Sequence, residues 1–143
     1  MSNDSTNKTT TVPKPIKNIE VGKFYLIHDG SKTGHPGLVI WKDDVQNLYL
    51  VIKFGTTCNK DNAIFPYPIG KDIKQSYYFK RLFLGKRKDV GGKSFDDLKA
   101  NDIDIIKILK EMDLFNPMCS SNITGRNFHS YLYYIKKSPP IGL

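Results

Sequence analysis

The run Leu48-Tyr49-Leu50-Val51-Ile52-Lys53-Phe54 constrains this chain more than any other stretch. It is dominated by branched and aromatic residues and lies between the turn-forming Gln46-Asn47 and Gly55-Thr56-Thr57. Such side chains fit a pleated, half-buried surface, so the run predicts a strand. A strand needs partners, and the flanks supply them. Lys23-Phe24-Tyr25-Leu26-Ile27-His28 ends at the turn signal Asp29-Gly30, and Leu38-Val39-Ile40-Trp41 follows a polar loop from Ser31 to Gly37. Tyr77 to Leu84 reads as a further strand. The prolines in Ala63 to Pro68 mark that segment as an edge strand or irregular.

Beyond Leu84 the period changes. Ser94 with Asp97 three residues later approximates a capping box for a short helix, and Asn101 caps a second one. In that second helix Ile103, Ile106 and Leu109 share a face, widened by Ile105, Ile108 and Met112. Asp102 and Asp104 near its start and Lys107 and Lys110 near its end suit the helix dipole. Phe128 to Lys137 fits a strand or a helix equally, and Gly125-Arg126-Asn127-Phe128 reads as a loop presenting Arg126. Short strands followed by helices predict an α+β, β-rich fold: a small barrel or curled antiparallel sheet with C-terminal helices packed at one end.

The 143 residues suit a single domain, and the 39% hydrophobic content excludes a disordered chain. Residues 1–18 are rich in Ser, Thr, Asn and Lys and offer little to bury, so they read as a flexible arm ahead of one globular domain spanning 19–143. No run approaches the roughly 18 apolar residues of a membrane span. The polar N-terminus lacks a signal-peptide core, which predicts a cytoplasmic protein with no membrane partner. Cys58 and Cys119 have neither a CxxC partner nor metal spacing and read as free thiols. His28 and His129 have no partner at ligand spacing, and no GxGxxG or Walker pattern occurs, so no metal and no cofactor is expected.

A formal net charge of +8 on so small a chain points to a polyanionic partner, with RNA favoured. Lys80, Arg81, Lys86, Arg87 and Lys88 flank Leu84-Gly85, and the last three read as lying on a flexible loop that runs to Gly92. Lys53, Lys80, Lys86, Arg87 and Lys88 are the candidate RNA-binding residues, against the plainer reading of a solvated charge run. Tyr25, Tyr49, Tyr67, Tyr77 and Tyr78 could stack on bases, but tyrosines on short strands more often pack, and Trp41 reads as core. His35, between Gly34 and Pro36 in the polar loop, is a candidate general base or, protonated, a phosphate contact. Thr56 and Thr57 could donate hydroxyls to a phosphate oxygen, or simply close the strand as turn residues.

Three segments in order carry a family resemblance: Val21-Gly22-Lys23-Phe24-Tyr25-Leu26, Gly34-His35-Pro36-Gly37-Leu38-Val39-Ile40 and Val51-Ile52-Lys53-Phe54-Gly55-Thr56-Thr57. With the Ser76 to Leu84 strand and the basic loop and helices after it, this order resembles the PemK/MazF family of toxin endoribonucleases, over about two-thirds of the chain. The resemblance implies an SH3-like barrel, a homodimer, an antitoxin partner, and metal-independent RNA cleavage through attack of the ribose 2′-hydroxyl. Family members usually carry arginine immediately before the proline step, where this sequence has His35. Arginine supplies a fixed cation for the phosphorane, whereas an imidazole suits proton transfer. The family's strand-end Thr or Ser corresponds to Thr56 or Thr57. Arg81 is the candidate to supply the cation that position 35 lacks, which makes His35, Thr56, Thr57 and Arg81 the expected catalytic set.

Overall fold

A computed structural model describes residues 18–65, 69 and 75–140. The arm expected at the N-terminus falls, but for Asn18, outside those residues, as do Tyr67 and its flanking prolines. Over the described residues the fold is α+β and strand-rich, with eight strands in one sheet and two helices, the longer of them near the C-terminus. Strands β1 (Phe24–Ile27), β2 (His35–Asp43) and β3 (Leu48–Gly55) form an antiparallel meander. On the other edge of β3, β5 (Ser76–Phe79) pairs with its end and β6 (Phe83–Lys86) with its beginning. β4 (Asn62–Phe65) extends the sheet beyond β5, and β7 (Val90–Ser94) pairs with β1. β8 (Met118–Cys119) lies parallel to β6, the one parallel pairing among these ladders. Among the described residues no ladder joins β6 to β7, so the sheet curls without closing.

Curling buries both faces of β3. Leu48, Leu50, Ile52 and Phe54 belong to a core shared with helices α1 (Asp102–Lys110) and α2 (Gly125–Lys137), which contribute Ile108, Leu109, Tyr131 and Ile135. Tyr49 and Val51 point the other way, into a second core with Tyr25, Ile27, Val39, Phe83 and Val90. The period of two in the sequence thus sorts one strand between two hydrophobic clusters. A bulge in β2, where the register shifts between Val39 and Trp41, explains why consecutive Ile40 and Trp41 both join the first core. Trp41 meets Tyr131 edge to face at 5.4 Å, docking α2 on the sheet.

Several elements differ from expectation. Ser94 starts no helix; it ends β7 opposite Tyr25, and Phe95 N–H donates to Phe24 O at 2.9 Å. A ladder to β1 there outweighs the local capping pattern. Tyr77 to Leu84 is two strands broken at Lys80–Leu82, because β5 and β6 each take a different stretch of β3. The basic loop is a tight turn between β6 and β7, with Lys86 itself in a strand. Buried Asp89 fixes that turn by accepting Lys86 N–H and Ser120 Oγ–H on Oδ2 and Asn122 Nδ2–H on Oδ1.

Asn101 caps α1 as expected, accepting Asp104 N–H at 2.8 Å. Its buried residues are Ile108 and Leu109, however, with half-buried Ile105 and, just past the helix, Met112 packed against the same core, and Ile103 is exposed. Phe128 to Lys137 is helical, and Gly125 to Phe128 is the first turn of α2 rather than a loop. Thr124 and Asn127 cap that turn reciprocally, Asn127 standing where the usual signature has Glu or Gln.

Candidate active site

The hairpin between β1 and β2 builds the site. Ile27 and His35 form its last pair, so His35 is the first residue of β2 rather than a free loop residue, and the ladder fixes its backbone. The intervening chain folds onto Asp29: its Oδ1 accepts Ser31 N–H at 3.2 Å and Ser31 Oγ–H at 2.6 Å, and Ser31 Oγ in turn accepts Gly34 N–H at 3.1 Å. Gly34 has φ +72°, and a Cβ there would stand 2.7 Å from Ile27 O. Only glycine closes this hairpin so tightly.

Asp29 Oδ2 is the centre of the site. It accepts His35 Nδ1–H at 2.7 Å and Lys53 Nζ–H at 2.8 Å. The carboxylate side chain is 3% exposed, Lys53 6% and His35 28%, so a buried ion pair carries a half-open imidazole at its edge. Burial pushes the Asp29 carboxyl upward, but the hydrogen bonds from Lys53 and Ser31 and the Lys53 charge outweigh it and hold the group well below the carboxylate range. An ionised acceptor on the Nδ1 side leaves the imidazole lone pair on Nε2.

Lys53 sits where alternation would place a core residue, after Tyr49 and Val51 on the same side of β3. Gly37 faces it across the ladder, and a side chain at 37 would collide with Ile27 and Val51. The ammonium lies 4.5 Å from the Phe79 ring centre and 5.2 Å from that of Phe83, which offsets part of its desolvation. Phe79 also meets the His35 ring edge to face at 4.9 Å.

Two cavities flank this cluster. One, of about 270 Å³, is lined by His35, Pro36, Gly55, Thr56 and Thr57 among others. A Cβ on Gly55 would lie 3.9 Å from His35 Nε2, so the free nitrogen borders the glycine end of β3 and the threonines beyond it. The other, of about 410 Å³, is lined by Lys53, Lys60, Asn62, Phe79, Lys80 and Arg81.

Of the expected catalytic set, His35, Thr56 and Thr57 share the first cavity. Arg81 does not: it lines the second, where its guanidinium donates to Asn116 O at 3.0 Å, Asn116 Oδ1 at 3.1 Å and Pro117 O at 3.4 Å. Among the RNA-binding candidates, Lys53 and Lys80 reach the second cavity. Lys86 donates to Gln46 O at 2.6 Å, Arg87 to Val90 O at 2.9 Å, and Lys88 is exposed on the β6–β7 turn; none of the three lines either cavity. Tyr25, Tyr49 and Tyr78 are core side chains, which removes them as stacking platforms. Cys58 and Cys119 are exposed and unbridged. Among the described residues no group of three or more His, Cys, Asp or Glu is placed to hold a metal ion.

Asp29 and Ser31 were not legible as site residues. An Asp-Gly pair reads as turn chemistry, and nothing in the spacing from Asp29 to His35 announces a shared hydrogen bond. The usable signal was Lys53, a lone cation at an inward position of the most apolar strand.

A buried carboxylate that orients an open imidazole beside hydroxyl side chains defines an acid–base dyad in a curled α+β sheet. No family model matches this chain, and no curated protein or solved structure does either.

Proposed function

We propose that this protein is a metal-independent endoribonuclease of the PemK/MazF kind, in which the Asp29–His35 dyad replaces the family's arginine-centred chemistry. The observation that carries the reading is the Asp29 Oδ2···His35 Nδ1 contact at 2.7 Å, which leaves Nε2 bordering the cavity of Thr56 and Thr57. In this reading Nε2 takes the proton of a ribose 2′-hydroxyl. The 2′ oxygen attacks phosphorus, the bond to the 5′ oxygen breaks, and the imidazolium returns the proton to that leaving oxygen. The products are a 2′,3′-cyclic phosphate and a 5′-hydroxyl. Thr56 and Thr57 hydroxyls donate to the non-bridging oxygens. Asp29 steadies the imidazolium, and Lys53 keeps Asp29 ionised. A homodimer, and an antitoxin segment covering the cleft, belong to the same reading.

Incubation with long single-stranded RNA in EDTA tests it. The expected result is cleavage leaving cyclic phosphate ends, with His35→Gln lowering the rate by roughly two to four orders of magnitude. Absence of cleavage at stoichiometric protein, or His35→Gln cleaving as well as the parent, overturns it. With Arg81 engaged by Asn116 and Pro117, a non-catalytic nucleic-acid module is the second reading. Salt-dependent RNA binding without scission would select it.

A further inference from the structure

We infer that the cavity of about 410 Å³ beside the dyad is a nucleotide subsite, which takes the phosphate on Lys60 and Lys80 and a base N–H on Asn62. The inference rests on reading the dyad cleft as an RNA site, and it adds where a neighbouring nucleotide goes. Phe79 and Lys53 are the shared wall: both line this cavity, and both touch the Asp29–His35 pair on its other side. A strand of RNA crossing that wall places one phosphate at His35 and the adjoining nucleotide among the cations.

Two independent observations support a ligand here. First, among the described residues four cations, Lys53, Lys60, Lys80 and Arg81, border one cavity whose single carboxylate is Asp61. Lys53 is paired with Asp29 and Arg81 is held by Asn116 and Pro117, which leaves Lys60 and Lys80 for a ligand. Lys60 is exposed, and Lys80 Nζ has a carbonyl partner, Lys60 O at 3.2 Å, so among the described residues neither amine is neutralised by a hydrogen-bonded acid. Second, Asn62 is 8% exposed and half satisfied. Its Nδ2 donates to Thr57 O at 2.9 Å, which fixes the amide orientation, because a flipped amide would set oxygen against oxygen. Its Oδ1 is thereby left buried with no partner. An unpaired buried acceptor is a standing cost that an incoming N–H removes. All four RNA bases carry an N–H on the pairing edge, so Asn62 detects a base without choosing among them. Oδ1 is closed off from solvent, so binding requires the neighbouring Asn59–Asp61 turn, which lines the same cavity, to shift. Among the described residues that turn is held by Asn59 Oδ1 accepting Asp61 N–H, Asn59 O accepting Asn62 N–H, Asp61 O accepting Lys80 N–H and Lys60 O accepting Lys80 Nζ–H. Phe79 and the exposed Met118 supply apolar walls for the base.

The experiment is titration of the full chain with the four nucleoside 5′-monophosphates, ribose 5-phosphate and inorganic phosphate, at low salt. It is followed by calorimetry and by the Asn62 side-chain amide resonance. The nucleotides should bind about tenfold tighter than ribose 5-phosphate and shift the Asn62 amide. Lys60→Gln should weaken nucleotides and ribose 5-phosphate alike by several-fold. Asn62→Ser should abolish the nucleotide advantage alone. Equal binding of ribose 5-phosphate and nucleotides by the parent overturns the base contact, and needs no variant to fold. Binding that leaves Asn62 unmoved, or no binding, overturns the subsite. His35→Gln should bind the monophosphates like the parent, so a subsite present in a chain that never cleaves RNA would sink the catalytic reading and leave this one standing.

Discussion

Asp29 decides the chemistry available to His35. It is nearly fully buried, and its charge survives because Lys53 and Ser31 meet it. Asp29→Asn would leave the Lys53 ammonium buried without a counter-charge and let His35 turn. Under the proposed reaction, RNA cleavage should fall by roughly a hundredfold or more, with KM changing less than kcat. Stability at neutral pH should fall by roughly 3–5 kcal/mol, read by denaturant unfolding. The carboxyl sits lower in the folded chain than its ordinary 3.8, so its stabilisation is complete above that value and fades as pH drops toward the folded one. The stability gap between parent and Asp29→Asn should therefore narrow between pH 5 and about pH 3. A constant gap across that window would refute the linkage. His35 was legible because glycine and proline frame it. Asp29 was hidden, since one turn signal looks like another until the hairpin is closed.

At the scale of elements, the close approach of β1, β2 and β3 depends on Gly37. Ile27 and Val51 occupy the space its side chain would need, so Gly37→Ala should overpack the second core and cost roughly 1–3 kcal/mol. Because Gly37 pairs with Lys53, the same change should also disturb the dyad. Unchanged stability in Gly37→Ala would mean that the strands separate more easily than the packing implies. On the opposite face Tyr131 is fully buried and its hydroxyl donates to Leu114 O at 2.6 Å, tying α2 to the segment after α1. Tyr131→Phe should cost roughly 1 kcal/mol, with activity intact. Strand runs were easy to read where both faces of a strand are apolar, as in β3. Ser94 misled because a four-residue capping pattern carries no knowledge of β1, whose unpaired edge claimed that segment. Thr124 was missed for the converse reason: Asn127 makes the reciprocal cap without the expected residue type.

Over the whole molecule, the net charge of +8 divides into more than one place. Lys53, Lys60, Lys80 and Arg81 gather beside the dyad, whereas Arg87 borders a separate cavity with Lys42 and Tyr49. Composition revealed the charge, but only the curl of the sheet decides which cations are neighbours. Lys80 and Lys86 are close in sequence, yet the break between β5 and β6 sends them to different sites. Salt dependence separates the two groups. Each lysine that touches a phosphate of single-stranded RNA contributes roughly 0.7 to the slope of log affinity against log salt. For an uncleavable oligonucleotide of a few residues, long enough to span only the dyad and its neighbouring cavity, Lys60→Gln and Lys80→Gln should each lower that slope by about this amount. Lys88→Gln on the β6–β7 turn should leave it unchanged for the short ligand and reduce it only when the RNA is long enough to reach the turn. Equal effects from Lys60 and Lys88 on the short ligand would mean that the positive field acts as a whole, with no track beside His35.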